Sequence, residues 1–188
     1  MTSLPASATT APPEASDPRP VVRRIRPADT ARMRALRLEM LADSPLAFLE
    51  TVAEAAARPH AEYANRVRQN AFGSQIAAFV AEPPSGHPDR RLVGHAGGHA
   101  APAEPGLTVI FAVYLTPTWR GTGLLADLIE AVAAWSRASG RPELMLEVVV
   151  GNNRAIRAYQ RLGFVDTGVR LPHPRIAALT ELQLRRRA

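Results

Sequence analysis

The residues Arg120-Gly121-Thr122-Gly123-Leu124-Leu125 stand between an apolar run, Thr108 to Leu115, and an amphipathic run, Leu124 to Ser139. That order predicts a strand, a glycine-bearing turn and a helix N-terminus. Such a turn gathers unpaired backbone N–H groups and the positive end of the helix dipole at one point. Gly121 and Gly123 remove the side chains that would block an anion, and Arg120 adds a permanent charge. The chemistry indicated is capture of a phosphate-bearing molecule. An ordinary glycine-rich connection has the same local pattern, so the turn alone leaves both readings open.

Other residues with reactive side chains are few. Glu147 is the sole acid in the apolar run Leu144 to Val150, where partial burial would raise its pKa; a carboxylate satisfied by an arginine or a backbone N–H is the plainer alternative. Tyr159 lies three residues from both Ile156 and Leu162, a spacing that core tyrosines share. His95 and His99 would share one face of a strand, too far apart for one small ion without further ligands. No carboxylate cluster accompanies them, so no metal is expected. Trp119 reads as a packing residue.

These groups must be held by one domain of ordinary composition. The chain has 188 residues, 46% hydrophobic and 21% charged, enough for a real core. No apolar run approaches the roughly 20 residues that span a bilayer, and no export signal is evident, so a cytoplasmic protein is expected. The absence of cysteine excludes a disulfide, a thiolate zinc site and a cysteine nucleophile. All 23 basic residues are arginine, which excludes a lysine Schiff base and the lysine of a Walker A loop. The net charge of +6 is dispersed; its one run, Arg185-Arg186-Arg187, reads as a solvated tail, and nucleic acid is not an expected partner.

Residues 1–20, rich in Ala, Pro, Ser and Thr, predict a disordered tail ahead of a single domain over 21–188. Val21 to Arg26 predicts a strand. A helix follows from Pro27-Ala28-Asp29, with Met33, Leu36, Met40 and Leu41 as its apolar stripe. Two short helices are expected over Leu46–Ala57 and Pro59–Asn70. Strands are expected over Gln75–Glu82 and Arg91–His99, joined across Pro83–Asp89, with a bulge at Gly97-Gly98. Thr108–Leu115 is the mid-sheet strand. After the helix from Leu124 come a strand over Leu144–Val150, a helix over Asn153–Leu162, and strands over Phe164–Leu171 and Ile176–Leu184. The order predicts an α/β or α+β layer around a mixed sheet.

Two segments together resemble the GNAT superfamily of acetyl-CoA-dependent N-acetyltransferases. They are Pro117-x-x-Arg120-Gly121-x-Gly123 and Leu146-Glu147-Val148-x-x-x-Asn152-x-x-Ala155-Ile156-x-x-Tyr159-x-x-Leu162-Gly163-Phe164. The close match covers residues 108–171. The resemblance implies a mixed, mostly antiparallel sheet of about seven strands flanked by helices, with acetyl-CoA as co-substrate. It implies that Val113, Tyr114 and Leu115 present strand-edge groups to the pantetheine arm. Arg120, Gly121, Thr122, Gly123, Leu124 and Leu125 would hold the diphosphate. Asn152 would contact the cofactor or cap the helix, and Tyr159 would meet the cofactor and protonate the departing thiolate. Two departures stand out. Leu125 occupies a position where the family prefers Gly or Ala, so its side chain must turn away. The strand Thr108–Leu115 lacks an acid, so the base comes from elsewhere, and Glu147 is the candidate.

An alkylammonium acceptor with a pKa near ~10 needs about three units of deprotonation at neutral pH, on the order of 4 kcal/mol. The function implied is direct attack of an amine on acetyl-CoA in a ternary complex, since no cysteine can carry the acyl group. Small-molecule amines and protein N-terminal or side-chain amines are all admissible acceptors, and a homodimer is compatible with the sequence. Two rivals share these residues: a non-catalytic acyl-CoA sensor, and a dinucleotide-binding oxidoreductase, because Gly121 to Ala126 satisfies G-x-G-x-x-A. Against the second, Thr116 to Arg120 separate the glycines from the strand.

Overall fold

The computed structural model describes residues 19–84, 87 and 90–188; all but the last two residues of the expected N-terminal tail, and most of the Pro83–Asp89 connection, lie outside them. The strands are β1 (Val21–Arg24), β2 (Ile76–Glu82), β3 (Gly94–Ala100), β4 (Leu107–Leu115), β5 (Glu143–Val149), β6 (Val165–Pro172) and β7 (Thr180–Arg187). The helices are α1 (Thr30–Asp43), α2 (Val52–Ala57), α3 (His60–Phe72), α4 (Leu124–Ala138) and α5 (Asn153–Arg161). The seven strands form one sheet in the order β1-β2-β3-β4-β5-β7-β6, antiparallel throughout except for the parallel pair β4–β5. No helix among the described residues is long and apolar enough to cross a membrane.

Alternation along the strands feeds two cores, one on each face of the sheet. On one face Leu128, Ile129 and Val132 of α4 pack on Ala77, Ala96, Leu144, Leu146 and Leu184, and Tyr159 and Phe164 extend this core toward α5. On the other, Met33, Leu36 and Met40 of α1 meet Val67 of α3 over Ala78, Val80 and Tyr114. The expected α1 stripe, Met33, Leu36, Met40 and Leu41, is buried throughout.

Three expectations change. The helix expected over Leu46–Ala57 is a 3-10 turn at Pro45–Ala47, an extended Phe48 and the short α2. Its start is set by Thr51, whose hydroxyl accepts the Glu54 N–H at 3.2 Å while the Glu54 carboxylate accepts the Thr51 N–H at 2.7 Å. The last strand runs to Arg187 rather than ending at Leu184, so Arg185-Arg186-Arg187 is no solvated tail. Arg187 lies opposite Glu143, and the Arg185 guanidinium pairs with Glu104 at 2.9 Å. Gly97-Gly98 makes no bulge of its own; the extra residue sits on β4, where Ala112 and Val113 together oppose Ala96, and Ala112 takes φ 52°.

The two glycines instead let neighbours approach. A Cβ on Gly98 would stand 2.8 Å from Val132 Cγ1 and 3.0 Å from Thr108 Cγ2, both β-branched and stiff. Gly98→Ala is therefore expected to cost about 1–3 kcal/mol by overpacking the seat of α4, read as a lower urea midpoint at an unchanged m-value.

Candidate active site

The parallel pairing of β4 and β5 lasts only from Leu107 opposite Glu143 to Val109 opposite Met145. Beyond it the strands part, leaving the edge of β4 from Ile110 to Leu115 without a strand opposite. The bulge at Ala112 lies within this free stretch. Its clamp is His95, whose ring sits 2.7 Å from the Ala112 carbonyl through Nδ1. The parted strands open a cleft of about 710 Å³, lined by Val113, Tyr114, Leu115, Glu147, Asn152 and Tyr159 among others. Tyr114 and Leu115 turn their side chains into the two cores, so what they offer the cleft is backbone.

At one end of the cleft lies the glycine turn. A 3-10 turn, Pro117–Trp119, carries the chain from β4 to it, and Thr122 closes it by donating its hydroxyl to the Trp119 carbonyl at 2.8 Å. Gly121 and Gly123 adopt φ 82° and 90°, and a Cβ on either would meet open space. Gly123 caps α4 without a side-chain acceptor. The amides of residues 121–125 have no hydrogen-bond partner among the described residues; the next, Ala126, bonds to Gly123 at 2.9 Å. Leu125 is half-buried against the core beside α4 and also lines the cleft. The arrangement is a concave row of donors at the positive end of a helix.

Arg120 does not stand free beside that row, as the sequence suggests. Its Nη2 holds Asp43 Oδ2 at 2.5 Å, its Nε donates to the Leu115 carbonyl at 3.1 Å, and its guanidinium lies 5.7 Å from the Tyr114 ring centroid. It ties the turn to the end of α1. Exposed cations at the cleft come instead from Arg154 and Arg161, two turns apart on α5.

Asn152 caps α5, its Oδ1 accepting the Ala155 N–H at 3.2 Å. That helix places Tyr159 with its ring edge-on to Phe164, centroids 5.8 Å apart. Only 9% of Tyr159 is exposed, and burial pushes the phenol well above its ordinary value, so it holds its proton at any working pH. The hydroxyl has no protein partner among the described residues. Glu147 departs from expectation: it reaches the cleft but is exposed, because its strand turns Leu146 and Val148 into the core and leaves Glu147 on the open face.

The same face carries Glu181 on β7, opposite Val149 and one step diagonal from Glu147. Glu181 is half-buried, and burial raises its pKa, with the charge of Glu147 acting in the same direction. His95 and His99 both lie against the Phe111 ring, and no group of three or more His, Asp or Glu stands together among the described residues as a metal would need.

A family model for the acetyltransferase (GNAT) family matches residues 46–164. The chain belongs to the GNAT acetyltransferase family. A comparison with curated proteins gives no match. Among solved structures, a GNAT acetyltransferase from Streptococcus pneumoniae superposes with a TM-score of 0.72 at 17% identity, over 89% of this chain and 98% of its own. YncA from Salmonella typhimurium, solved with its cofactor acetyl-CoA, gives 0.68 at 17% identity over 89% and 93%. A chimeric spermidine N-acetyltransferase from Vibrio cholerae gives 0.67 at 16% identity over 89% and 95%.

The GNAT fold thus brings the expected turn, the β4 edge, Asn152, Tyr159 and Glu147 to one cleft. Sequence reasoning missed Glu181, Arg154 and Arg161. By spacing, positions 154, 158 and 161 share one face of α5 that is turned away from Tyr159, so only the fold shows that the two arginines reach the same cleft.

Proposed function

We propose that this GNAT protein transfers an acetyl group from acetyl-CoA to an amine by direct attack in a ternary complex. The observation that carries the reading is the row of amides, residues 121–125, without partners among the described residues and opening onto the same cleft as Tyr159, Glu147 and Glu181. Those amides fit a diphosphate, with Arg154 and Arg161 as the cations at hand. The unpaired edge of β4 fits an extended amide-bearing arm by strand addition. Held so, acetyl-CoA supplies the thioester.

The chain's own residues then have two tasks. A carboxylate on the open face must relieve the acceptor ammonium of a proton, and both Glu147 and Glu181 are in place for it. Tyr159 must stabilise the sulfur that leaves, and its neutral phenol is a donor without a competing partner. The acceptor is a primary amine of a small molecule or of a protein, the small-molecule class being that of the spermidine N-acetyltransferase relative.

Calorimetry with acetyl-CoA, followed by thiol release over an amine panel, tests the proposal; a folded protein that gives no heat rejects it. Gly123→Val is the sharpest variant. A β-branched residue is strained at φ 90°, which costs about 1–3 kcal/mol, and its side chain fills the open space above the amides. Acetyl-CoA affinity is expected to fall at least tenfold in a protein that still melts cooperatively.

A further inference from the structure

We propose that Glu181 and Glu147 together receive the ammonium group of the acceptor, that Glu181 takes its proton, and that the buried ring of His173 holds the Glu181 carboxylate in line. The inference rests on the acetyltransferase reading above and names the acceptor side of that site.

His173 follows β6 and is sealed, its side chain 1% exposed. Its Nδ1 accepts two backbone N–H groups of the same loop, from Arg175 at 3.2 Å and Ile176 at 3.1 Å. An Nδ1 used as acceptor puts the ring proton on Nε2. That Nε2–H has no hydrogen-bond partner among the described residues, yet it lies 4.0 Å from Glu181 Oε1. A buried donor without a partner is rare, and the carboxylate 4.0 Å from this one needs only a small side-chain adjustment to come within reach.

The loop that carries the ring is fastened at both ends. His173 N–H donates to Leu179 O at 2.9 Å, and Arg175 reaches across to α2, pairing with Glu54 at 2.8 Å and donating to Leu49 O at 2.6 Å. Arg175 is therefore occupied, and the groups whose charges act on Glu181 are His173 behind it and Glu147 beside it. Diagonal neighbours on one sheet face have Cα atoms roughly 7–8 Å apart, a span that two glutamate side chains can close around one ammonium group. A cation there offsets the repulsion between the carboxylates and needs no other counter-ion.

The step balances within this chemistry. The ammonium N–H proton passes to a Glu181 oxygen, and the freed nitrogen pair forms the C–N bond at the thioester carbonyl. As the adduct collapses, the C–S pair leaves with sulfur, which takes a proton from Tyr159. The second nitrogen proton restores the phenol, and Glu181 releases its own to solvent. His173 is a positioning residue; of the groups assigned to the reaction it approaches Glu181 alone.

The test is a carbon-13 titration of glutamate carboxyls in the full-length protein, with Glu181→Gln to assign the signal. The Glu181 carboxyl is expected to titrate above the exposed glutamates. Millimolar 1,4-diaminobutane is expected to move its signal saturably, with at least fivefold weaker affinity in Glu147→Gln. His173→Asn keeps an acceptor for both loop amides and loses the Nε2–H; it is expected to raise the Glu181 midpoint by at least half a pH unit at an unchanged melting temperature. His173→Gln, whose amide nitrogen reaches the Nε2 position, is expected to restore it. A Glu181 signal unmoved by the diamine, or a midpoint indifferent to His173→Asn, in a protein that binds acetyl-CoA overturns this inference alone. A protein that binds no acetyl-CoA overturns the acetyltransferase reading and this one with it.

Discussion

Tyr159→Phe is expected to lower kcat by roughly 10² or more, within the range a positioned proton donor supplies, while acetyl-CoA affinity changes by less than about threefold. The split follows from where the ring sits. Its edge-to-face contact with Phe164 and its place in the core of α4 and α5 belong to the ring carbons, which phenylalanine keeps. Only the hydroxyl is lost, and among the described residues it holds nothing else in place, so the fold and the amide row should not respond. A thiol has a pKa near ~8.5, but a thiolate expelled into a desolvated cleft is far more costly without a donor. Burial keeps the phenol neutral, so its contribution does not fade as pH rises toward the ordinary tyrosine range. Steady-state rates at saturating acetyl-CoA and amine, with a calorimetric Kd beside them, read both quantities. An unchanged kcat rejects the donor role; a parallel loss of affinity assigns Tyr159 to binding.

What could be read from the sequence is what local chemistry dictates. Gly121 and Gly123 mark a turn cleared of side chains before a helix, capping was one of two roles open to Asn152, and the α1 stripe had to face a core. Each depends on residues within a turn or two of one another. The features that escaped depend on contacts between distant segments. Arg120 reads as an anion ligand until α1 brings Asp43 to it, 77 residues away in sequence. Glu147 reads as half-buried until one sees that the face opposite the core stays open beside β7. Glu181 had no visible claim, because only the pairing of β7 with β5 sets it beside Glu147, and its partner His173 stands across a loop whose shape comes from Arg175 and Glu54. The arginine run at the C-terminus reads as solvated because charge runs usually are, whereas Glu104 and Glu130 give Arg185 and Arg186 of β7 their counter-ions.

Lowering the pH from 6.5 to about 4 is expected to remove roughly 3 kcal/mol of stability through His95 alone. His95 is 3% exposed, and burial drops its pKa from 6.5 to about 4 despite the Ala112 carbonyl on Nδ1. In the unfolded chain the ring binds a proton below 6.5; in the fold it stays neutral until about 4. Between those values the unfolded state holds more protons, so stability falls as pH falls, at about 1.4 kcal/mol for each pH unit. The contribution is whole above 6.5 and gone below about 4. The window differs from that of Asp29, Glu50 and Glu82, which arginines hold below their ordinary values so that they give up their share at lower pH, while Glu181, raised by burial, acts with the opposite sign. His95→Asn isolates the effect, since its side-chain amide can still donate to the Ala112 carbonyl and does not titrate. That variant is expected to be less stable at pH 7.5, where the smaller side chain leaves a void, and to close on the wild type as pH drops toward 4. Urea midpoints at half-unit steps measure it, and parallel curves for the two proteins would place the acid sensitivity elsewhere. The same neutrality matters to the site. A charged ring could no longer stay in that apolar pocket, and the bulge at Ala112 that it clamps lies on the free edge of β4, so acid should blunt acetyl-CoA binding before it unfolds the chain.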